Sequence, residues 1–371
     1  MNTSIRQQRG LNNLTAYVAG KPVEEVQREY GIKDVIKLAS NENPLGASPL
    51  ALDAIMENLK ELNRYPDADS FYLRTVLAEK LGCPIEQVTV GNGSDGIIAE
   101  TCMAFLDEMS EVIVSRTSFP VYDIYTNVMR ATLIKIPMKN YSLDLEKMAD
   151  AITERTKVIF LCNPNNPTGT IVTASEVDDF MKKVPEHVLV VFDEAYYELA
   201  DSDEYPNGLD YLRDGRSNVM VMRTFSKAYG LAGIRLGYAV AVPEVIAALH
   251  SVKEPFAVSQ LAQAAGIAAL DDLDFLHKSV EKNHAGRLYL YAQLERLAIF
   301  YLKSHTNFVL AKIGPHAMTI QQKLLERGVI VRCCSAYDLP EFLRISVGNE
   351  QENIRLIETL EEVLRAHAKI T

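Results

Sequence analysis

The sequence Thr224-Phe225-Ser226-Lys227-Ala228-Tyr229-Gly230 stands just after an apolar run at 218–222. That run has the length and composition of a buried parallel strand. A lysine this close to a buried strand end is poorly explained as a solvated charge, because it would lie where water is scarce. Arg235 lies eight residues beyond this lysine and can bring a second cation to the same place. The pattern therefore predicts an anion-binding site at this end of the strand.

Hydroxyl groups and glycines surround the two cations. Thr224 and Ser226 supply the hydroxyls, and the glycines that follow let the backbone pass close to a bound group. An anionic cofactor that reacts with a lysine amine explains this combination, and pyridoxal 5'-phosphate (PLP) is such a cofactor. For an isolated Ser-Lys pair, cations that extend from a strand end into solvent would be the favoured interpretation. The rest of the chain reverses that preference.

Length and charge limit the classes of protein to consider. A chain of 371 residues can bury a large core and form two domains. Its apolar fraction of 48% and charged fraction of 23% are ordinary for a soluble globular protein. The net charge of -11 argues against general binding to nucleic acids or anionic membranes. Any anionic substrate must therefore be captured by local arginines.

The cysteines and histidines indicate neither a disulfide framework nor a metal site. Five cysteines are an odd number without metal-ligand spacing, and seven histidines are scattered along the chain. Free thiols in a reducing cytosol are the best interpretation, so we expect a cytoplasmic protein. The first 14 residues lack the apolar core of a signal peptide, and no run approaches the roughly 18 apolar residues of a membrane helix.

A glycine-rich loop links a predicted strand to a predicted helix, and it reads Gly91-Asn92-Gly93-Ser94-Asp95-Gly96. This matches G-x-G-x-x-G, the dinucleotide-binding pattern. We reject a nicotinamide site, because the next strand ends in Ser115-Arg116, where an acidic residue should meet the ribose. Such a site would also leave Lys227 without a role. The helix, predicted at 97–105, can still bind a phosphate through backbone N–H groups at its start, and we assign it to the PLP phosphate.

Polar residues also follow two other predicted strands. Asn166 lies in an Asn- and Pro-rich loop, and Asp193 ends an apolar strand three residues before Tyr196. The loop alone could be only a turn, and Asp193 alone could cap the next element. Strands and helices alternate from 88 to 242, however, which predicts a mainly parallel sheet with helices on both faces. Ligands bind at the carboxyl ends of such strands, so these side chains should meet Lys227 there.

The last third of the chain contributes two arginines. After a helical region at 243–303, strand and helix patterns mix as in an α+β module. Arg344 lies inside an apolar strand, where an unpaired guanidinium is costly, and a substrate carboxylate would be a bidentate partner. Arg332 ends the preceding strand, where it could bind a second anion or be a surface charge.

Seven short motifs are specific as a set. They are Ala39-Ser40-Asn41-Glu42-Asn43-Pro44, Arg64-Tyr65-Pro66-Asp67, Gly91 to Asp95, Asn165 to Gly169, Asp193 to Tyr196, Thr224 to Lys227 and Leu343 to Gly348. From Tyr17 to Gly348 the chain resembles the fold-type-I PLP-dependent aminotransferases, and among them the histidinol-phosphate aminotransferases. The resemblance implies an α/β fold. A large PLP-binding domain at 38–250 would hold a mainly parallel, seven-stranded-type sheet between helices, and 1–37 with 251–371 would form a smaller α+β domain.

The resemblance also implies a role for each candidate residue. Lys227 would form the Schiff base and shuttle the proton, Asp193 would hold the pyridinium nitrogen, and Tyr196 would bind the ring oxygen; these three are the catalytic candidates. The further cofactor contacts would be Ser94, Asp95, Phe119 (stacked on the ring), Asn166, Thr224, Ser226, Arg235 and, from a neighbouring subunit, Tyr65. The substrate contacts would be Arg344 for the α-carboxylate, then Arg332, Tyr17, Tyr122 and again Asn166.

The implied reaction is transamination between histidinol phosphate, with its ketone imidazole acetol phosphate, and the 2-oxoglutarate/glutamate pair in histidine biosynthesis. The resemblance implies a homodimer, because Tyr65 would serve the neighbouring subunit's cofactor, and it implies no nucleic-acid, membrane or metal partner. Two positions depart from the family pattern. Gly96 stands where the family has an acid, and Cys333-Cys334 directly follow Arg332. Both lie near recognition surfaces, so they concern the substrate more than the type of reaction.

Three alternatives use the same residues differently. An aromatic amino acid aminotransferase would line an apolar pocket with Tyr17, Tyr122, Phe119 and Phe256. A threonine-phosphate decarboxylase would use the same lysine. A non-catalytic PLP-binding regulator belongs to a different class, and such proteins carry a fused DNA-binding module. Only about 35 residues precede the core, which are too few for that module, and the chain as a whole is acidic.

Overall fold

The computed structural model describes residues 7–12, 14 and 20–368. The strands in these ranges fall into three sheets. Within these ranges the helices are α1 (Val23–Tyr30), α2 (Pro49–Asn58), α3 (Phe71–Leu81), α4 (Gly93–Phe105), α5 (Val121–Val128), α6 (Leu145–Asp150), α7 (Ala174–Met181), α8 (Gly208–Arg213), α9 (Pro243–Val252), α10 (Gln260–Asp271), α11 (Leu273–Arg296), α12 (Ala317–Leu325) and α13 (Glu350–Ala368). The strands are β1 (Ile36–Lys37), β2 (Val88–Asn92), β3 (Glu111–Ser115), β4 (Thr132–Ile136), β5 (Thr156–Cys162), β6 (Leu189–Asp193), β7 (Val219–Thr224), β8 (Leu236–Ala241), β9 (Phe300–Tyr301), β10 (Phe308–Lys312), β11 (Val329–Ile330), β12 (Arg332–Cys334) and β13 (Leu339–Ser346). No helix in these ranges combines the length and apolar character that a bilayer span requires.

The largest sheet has seven strands in the order β2-β8-β7-β6-β5-β3-β4. Neighbours from β7 to β4 are parallel, and β8 runs antiparallel to both β7 and β2. The reversal at β8 follows from its connection, because residues 225–235 form no crossover helix between β7 and β8. The prediction of a mainly parallel seven-stranded sheet between helices is confirmed.

Both faces of this sheet are apolar because helices cover both. In β6, Val190 and Phe192 pack into one buried cluster, and Leu189 and Val191 pack into another on the opposite face. A strand that is buried on both sides needs a continuous apolar run rather than an alternating one. Asp193 is the polar residue that ends this run, at the edge where β5 and β7 also end.

The remaining strands form two smaller sheets around a separate apolar core. One sheet has the order β12-β13-β10-β9, and the other pairs β1 with β11 in parallel. Helices α11, α12 and α13 pack on these sheets through residues such as Leu294, Leu324 and Leu360. This arrangement is the expected mixture of strands and helices. The domain boundaries at 37/38 and 250/251 stay a prediction.

Three element boundaries differ from the sequence-based expectation. Helix α4 begins at Gly93 rather than at residue 97, because β2 extends to Asn92 and turns directly into the helix. Arg332 begins a strand rather than ending one, because β11 stops at Ile330 and β12 starts at Arg332, and the two strands belong to different sheets. The helical region after 243 is interrupted at 253–259.

Helix α4 approaches the sheet closely at its first turn, and a glycine makes this possible. A Cβ on Gly237 of β8 would lie 2.6 Å from the Ser94 backbone nitrogen. No side chain fits at that distance, so residue 237 must be glycine for the start of α4 to reach the strand ends.

Helix α4 also buries a carboxyl group, and this gives a prediction about stability. Glu100 is 5% exposed, and its Oε2 accepts no hydrogen bond from the described residues. Burial raises its pKa from 4.5 to about 7, although Lys253 opposes the shift. Because ionisation is harder in the folded state, the wild type should lose stability as pH rises from about 4.5 to about 7. Glutamine does not ionise, so Glu100→Gln avoids this loss. At pH 8 its free energy of unfolding should exceed that of the wild type by on the order of 2 kcal/mol.

Thermal unfolding at pH 4.5 and pH 8 checks the Glu100 prediction. The melting-temperature difference between Glu100→Gln and the wild type should grow at pH 8. Exposed Glu186 supplies the control, since Glu186→Gln makes the same chemical change at the surface. A pH-independent effect of Glu100→Gln would show that the buried carboxyl does not ionise in this range.

Candidate active site

A cavity of about 440 Å³ lies where the carboxyl ends of β5, β6 and β7 meet the start of α4 and strands β12 and β13. Its volume is in the range of small-molecule and cofactor sites. It brings together twelve of the predicted site residues: Ser94, Asp95, Phe119, Asn166, Asp193, Tyr196, Thr224, Ser226, Lys227, Arg235, Arg332 and Arg344. Residues from distant parts of the sequence therefore line one cavity.

Of the other three predicted site residues, the two that the structure describes, Tyr65 and Tyr122, are not on the wall of this cavity. Tyr17 lies outside the described residues. Tyr65 is 81% exposed and stacks on Phe256, with ring centroids 4.5 Å apart. Tyr122 was expected to shape the substrate pocket, but it is completely buried behind Asp193 and stacks on Phe160. This corrects the expectation for Tyr122, because α5 turns that side chain towards the sheet.

Asp193 is a buried carboxylate that faces the cavity. It is 3% exposed; its Oδ2 accepts a hydrogen bond of 2.5 Å from the Tyr122 hydroxyl, and its Oδ1 accepts one of 3.2 Å from the Ala195 backbone. In the described chain no lysine or arginine forms an ion pair with it. Burial raises its pKa to about 6, although the two hydrogen bonds oppose this shift. A cation in front of Asp193 would restore its ordinary tendency to ionise.

Lys227 reaches into the same cavity from the loop after β7. Burial lowers its pKa to about 8, and the positive charges of Arg344 and Arg235 add to the effect. Its Nζ lies 5.8 Å from the centroid of the Tyr196 ring. The Asn43 side chain fixes the loop by donating to the Lys227 carbonyl at 3.2 Å. The backbone at Lys227 is thus held in place, and the lowered pKa gives its amine a larger neutral fraction near neutral pH than an ordinary lysine has, as a nucleophile or base requires.

An anion-binding corner lies at the start of α4. The Thr224 hydroxyl donates to the Ser226 hydroxyl at 3.1 Å, and Arg235 Nη1 lies 3.5 Å from Ser226 Oγ. Arg235 Nη2 also pairs with Asp95 Oδ2 at 3.2 Å, but both side chains are more than 40% exposed, so the pair is weak. Hydroxyls, a guanidinium and the N–H groups of a helix start are the donors that bind a phosphate.

Asn166 and Arg344 contact each other on the opposite wall. Arg344 is 4% exposed; its Nη1 donates to Asn166 Oδ1 at 2.5 Å, and its Nη2 donates to the Ala39 carbonyl at 2.8 Å. Because Oδ1 accepts from the arginine, Asn166 Nδ2 is the atom that can donate to a bound group. Arg332 lies directly opposite Arg344 in the pairing of β12 with β13. Two guanidinium groups thus occupy this wall.

Asn41 is a cavity residue that the sequence analysis did not assign. Its Nδ2 donates to the Tyr196 hydroxyl at 3.0 Å, and its backbone N–H donates to Ser346 Oγ at 2.9 Å. Asn307 donates to its carbonyl at 2.8 Å. The residue has a φ of 56°, which asparagine tolerates better than most side chains. The density of turn-forming residues around Asn41 marked a special loop, but its partners lie far away in sequence.

Comparisons with known proteins agree with this geometry. A family model described as aminotransferase class I and II matches residues 33–360. The chain is 47% identical over 352 residues to histidinol-phosphate aminotransferase from Moorella thermoacetica, covering 95% of this chain and 91% of the relative. It is also 47% identical over 359 residues to histidinol-phosphate aminotransferase 2 from Pseudomonas fluorescens, covering 96% and 97%. Among solved structures, histidinol-phosphate aminotransferase from Sinorhizobium meliloti in complex with pyridoxal-5'-phosphate superposes with a TM-score of 0.90 at 29% identity, covering 98% of this chain and 99% of that one.

Proposed function

The chain belongs to the class I and II aminotransferases, and from this we propose that it transfers an amino group between histidinol phosphate and 2-oxoglutarate with PLP as cofactor. The products of this direction are imidazole acetol phosphate and glutamate, and the reverse direction serves histidine biosynthesis. The observation that carries the proposal is the meeting of Lys227, Asp193 and Asn166 in one cavity.

The residues present fit PLP. Asp193 is a buried carboxylate without a cation partner in the described chain, and a protonated ring nitrogen would be such a cation. The corner formed by Ser226, Arg235 and the start of α4 suits the phosphate. The Phe119 ring lines the cavity and can stack on the cofactor ring. The ring nitrogen and the phosphate of the cofactor would therefore each meet a group of opposite charge.

Each catalytic side chain then has a defined task. Bound PLP supplies an electron sink for the charge that develops at the substrate Cα when its proton leaves. Lys227 would bond to the cofactor until an amino substrate displaces it, and its Nζ would then take the Cα proton. Asp193 would keep the ring nitrogen protonated. Asn166 Nδ2 would donate to the ring oxygen, as would the Tyr196 hydroxyl, which already accepts from Asn41 and keeps its own proton for this bond.

The two arginines would bind the anionic groups of the substrates. Glutamate carries two carboxylates, whereas histidinol phosphate carries a phosphate and no carboxylate. Arg344 would hold the α-carboxylate of glutamate, and Arg332 would hold the more distant anion of either substrate. Tyr122 lies behind Asp193, so we assign it to holding that carboxylate and not to the substrate.

An aromatic amino acid aminotransferase receives less support from the structure than from the sequence. The apolar pocket expected for that enzyme needs Tyr122 and Phe256, but neither lines the cavity in the described chain. The wall that contains Asn166 carries Arg344 and Arg332 instead. A site with this charge favours a substrate with a second anionic group.

Steady-state assays with alternative amino donors test the proposed substrate. Histidinol phosphate, phenylalanine and threonine phosphate would each be supplied with 2-oxoglutarate. We expect kcat/KM for histidinol phosphate to exceed that for phenylalanine by roughly 10² or more, because the phenylalanine side chain has no anionic group for the cations of the cavity wall to bind. Equal or better turnover of phenylalanine would contradict the proposal, and so would release of carbon dioxide from threonine phosphate.

We also propose a homodimer that forms on one exposed apolar surface. Among the exposed large apolar side chains of the described residues, eight lie in or between α2 and α3: Leu50, Leu52, Met56, Leu59, Leu62, Tyr65, Phe71 and Tyr72. Exposed apolar side chains gathered in one segment of the chain indicate an interaction surface. A second copy of the chain is the proposed occupant, since Tyr65 would then reach the phosphate of the partner's cofactor.

Light scattering should give twice the 41.4 kDa mass of the chain. Met56 is 61% exposed, and Met56→Asp should convert the dimer to an inactive monomer because it places a charge in the interface. Asp150→Ala, an exposed change outside the apolar surface, is the control. A monomeric wild type that is fully active would contradict the proposed dimer.

Hybrid dimers test whether Tyr65 acts across the interface. Subunits with Lys227→Ala would be mixed and refolded with subunits that carry Tyr65→Ala. If Tyr65 serves the partner's site, each hybrid contains one site with both residues intact, and activity should rise above that of either variant alone. If Tyr65 serves its own subunit, the hybrid has no intact site and activity should not rise.

We further propose a cytoplasmic location and a division of the chain into two domains. One domain spans 38–250, and the other is formed by 1–37 with 251–371. The five cysteines are all free, which agrees with a reducing compartment.

A further inference from the structure

Lys37 and Glu42 line the cavity, and the proposed chemistry gives neither a role. Lys37 lies on β1, and its Nζ donates to Glu42 Oε1 at 2.8 Å. The Lys37 side chain is 24% exposed and that of Glu42 is 46% exposed. An ion pair this accessible contributes little to stability, so either partner can exchange the other for a stronger one.

Strand pairing places Lys37 beside the two arginines. Lys37 lies opposite Ile330 in the pairing of β1 with β11, and Ile330 is two residues before Arg332. Arg332 lies opposite Arg344, which in turn donates to the carbonyl of Ala39, two residues after Lys37. The three cations therefore follow one another along a single wall of the cavity.

The charge of the two substrates differs at the far end of this wall. The distal carboxylate of glutamate carries one negative charge, whereas a phosphate monoester carries roughly -1.5 to -2 at pH 7. One guanidinium neutralises the carboxylate. The phosphate has further charge and a third oxygen, which need another donor. Lys37 has a flexible amine and lies within the same cavity.

We propose that Lys37 determines specificity for phosphate-bearing substrates by binding the substrate phosphate beside Arg332. Glu42 is the counter-ion that holds the amine while no dianion is present, and it releases the amine when the phosphate binds. This inference rests on the proposed function, because it assigns Lys37 to the phosphate of the same amino substrate.

Histidinol lacks the phosphate, so comparing it with histidinol phosphate isolates the contribution of the contacts to the phosphate. The measured quantity is the ratio of kcat/KM for the two substrates. In Lys37→Gln the ratio should fall about tenfold, mainly through a higher KM for histidinol phosphate, since one charge-assisted contact at a partly exposed site has been lost. Lys37→Arg should restore most of the ratio. Glu42→Gln should raise the ratio, because the amine then has no competing partner.

Lys312→Gln is the matched control. Lys312 also pairs with a half-exposed glutamate, Glu341 at 3.0 Å, but it does not line the cavity. Its removal should leave the ratio unchanged. If Lys37→Gln lowers kcat/KM for both substrates equally, Lys37 is only structural and the inference is wrong. If the wild type does not convert histidinol phosphate, the proposed function fails; an unchanged ratio in Lys37→Gln alone overturns only this inference.

Discussion

Lys227→Ala should lose at least about 10⁴-fold in kcat with histidinol phosphate and 2-oxoglutarate. Proton transfer by a positioned base contributes roughly 10²–10⁴-fold, and the variant also loses the amine that bonds to the cofactor. No other lysine can replace it from its present position, since the other lysine on the cavity wall within the described residues is Lys37, which lies on β1 and not at the end of β7. The measurement is a steady-state assay with protein that has been loaded with excess PLP.

Lys312→Ala is the control for the Lys227 prediction, because it removes an exposed lysine outside the cavity. It should keep the wild-type rate. The proton transfer assigned to Lys227 predicts that exchange of the substrate Cα hydrogen with solvent is also lost, which NMR can follow separately from turnover. Wild-type exchange in Lys227→Ala would show that another group moves this proton.

Asp193→Ala should weaken cofactor binding and lower kcat together. The substitution leaves a protonated ring nitrogen without a partner in a buried site, at a cost on the order of 3–5 kcal/mol. The Asp193→Ala protein should therefore retain much less PLP through dialysis than the wild type does. Absorbance measures the retained cofactor, and assays with saturating PLP measure the rate that remains.

Tyr122→Phe gives a graded comparison for the Asp193 prediction. It removes the 2.5 Å hydrogen bond to Asp193 Oδ2 but keeps the carboxylate and the ring stack on Phe160. The pKa of Asp193 should rise, because a donor to its charged form is lost. We expect a loss of about tenfold in kcat, which is smaller than in Asp193→Ala and greatest at low pH. A loss in Asp193→Ala no larger than that in Tyr122→Phe would contradict the ion pair with the ring nitrogen.

The sequence predicted the position of the residues that end strands. Lys227, Asp193 and Asn166 each follow a continuous apolar run, and in a parallel sheet the carboxyl ends of neighbouring strands lie together. Strand composition is a local property, so one chain suffices to identify it. This argument accounts for Lys227, Asp193 and Asn166, which all line the cavity, whereas residues such as Phe119 were assigned from the resemblance to known aminotransferases.

The sequence could not predict contacts that depend on how distant segments dock. Tyr122 was expected in the substrate pocket from the resemblance to known aminotransferases, but the orientation of α5 on the sheet decides which side of that helix faces Asp193. Asn41 meets Tyr196 across 155 positions of the chain, and nothing in either local sequence indicates this pairing. The separation of β11 from β12 likewise follows from the docking of β1, which pairs with β11 alone.

The central claim is that Lys227 is the residue that bonds to the cofactor, and it can be tested by chemical mapping. Borohydride reduction of the PLP-loaded protein makes an amine–aldehyde linkage permanent, and mass spectrometry of the digested protein then locates it. The account predicts that the cofactor mass is found on the peptide that contains Lys227 and on no other. Attachment at a different lysine, or no attachment, would contradict it.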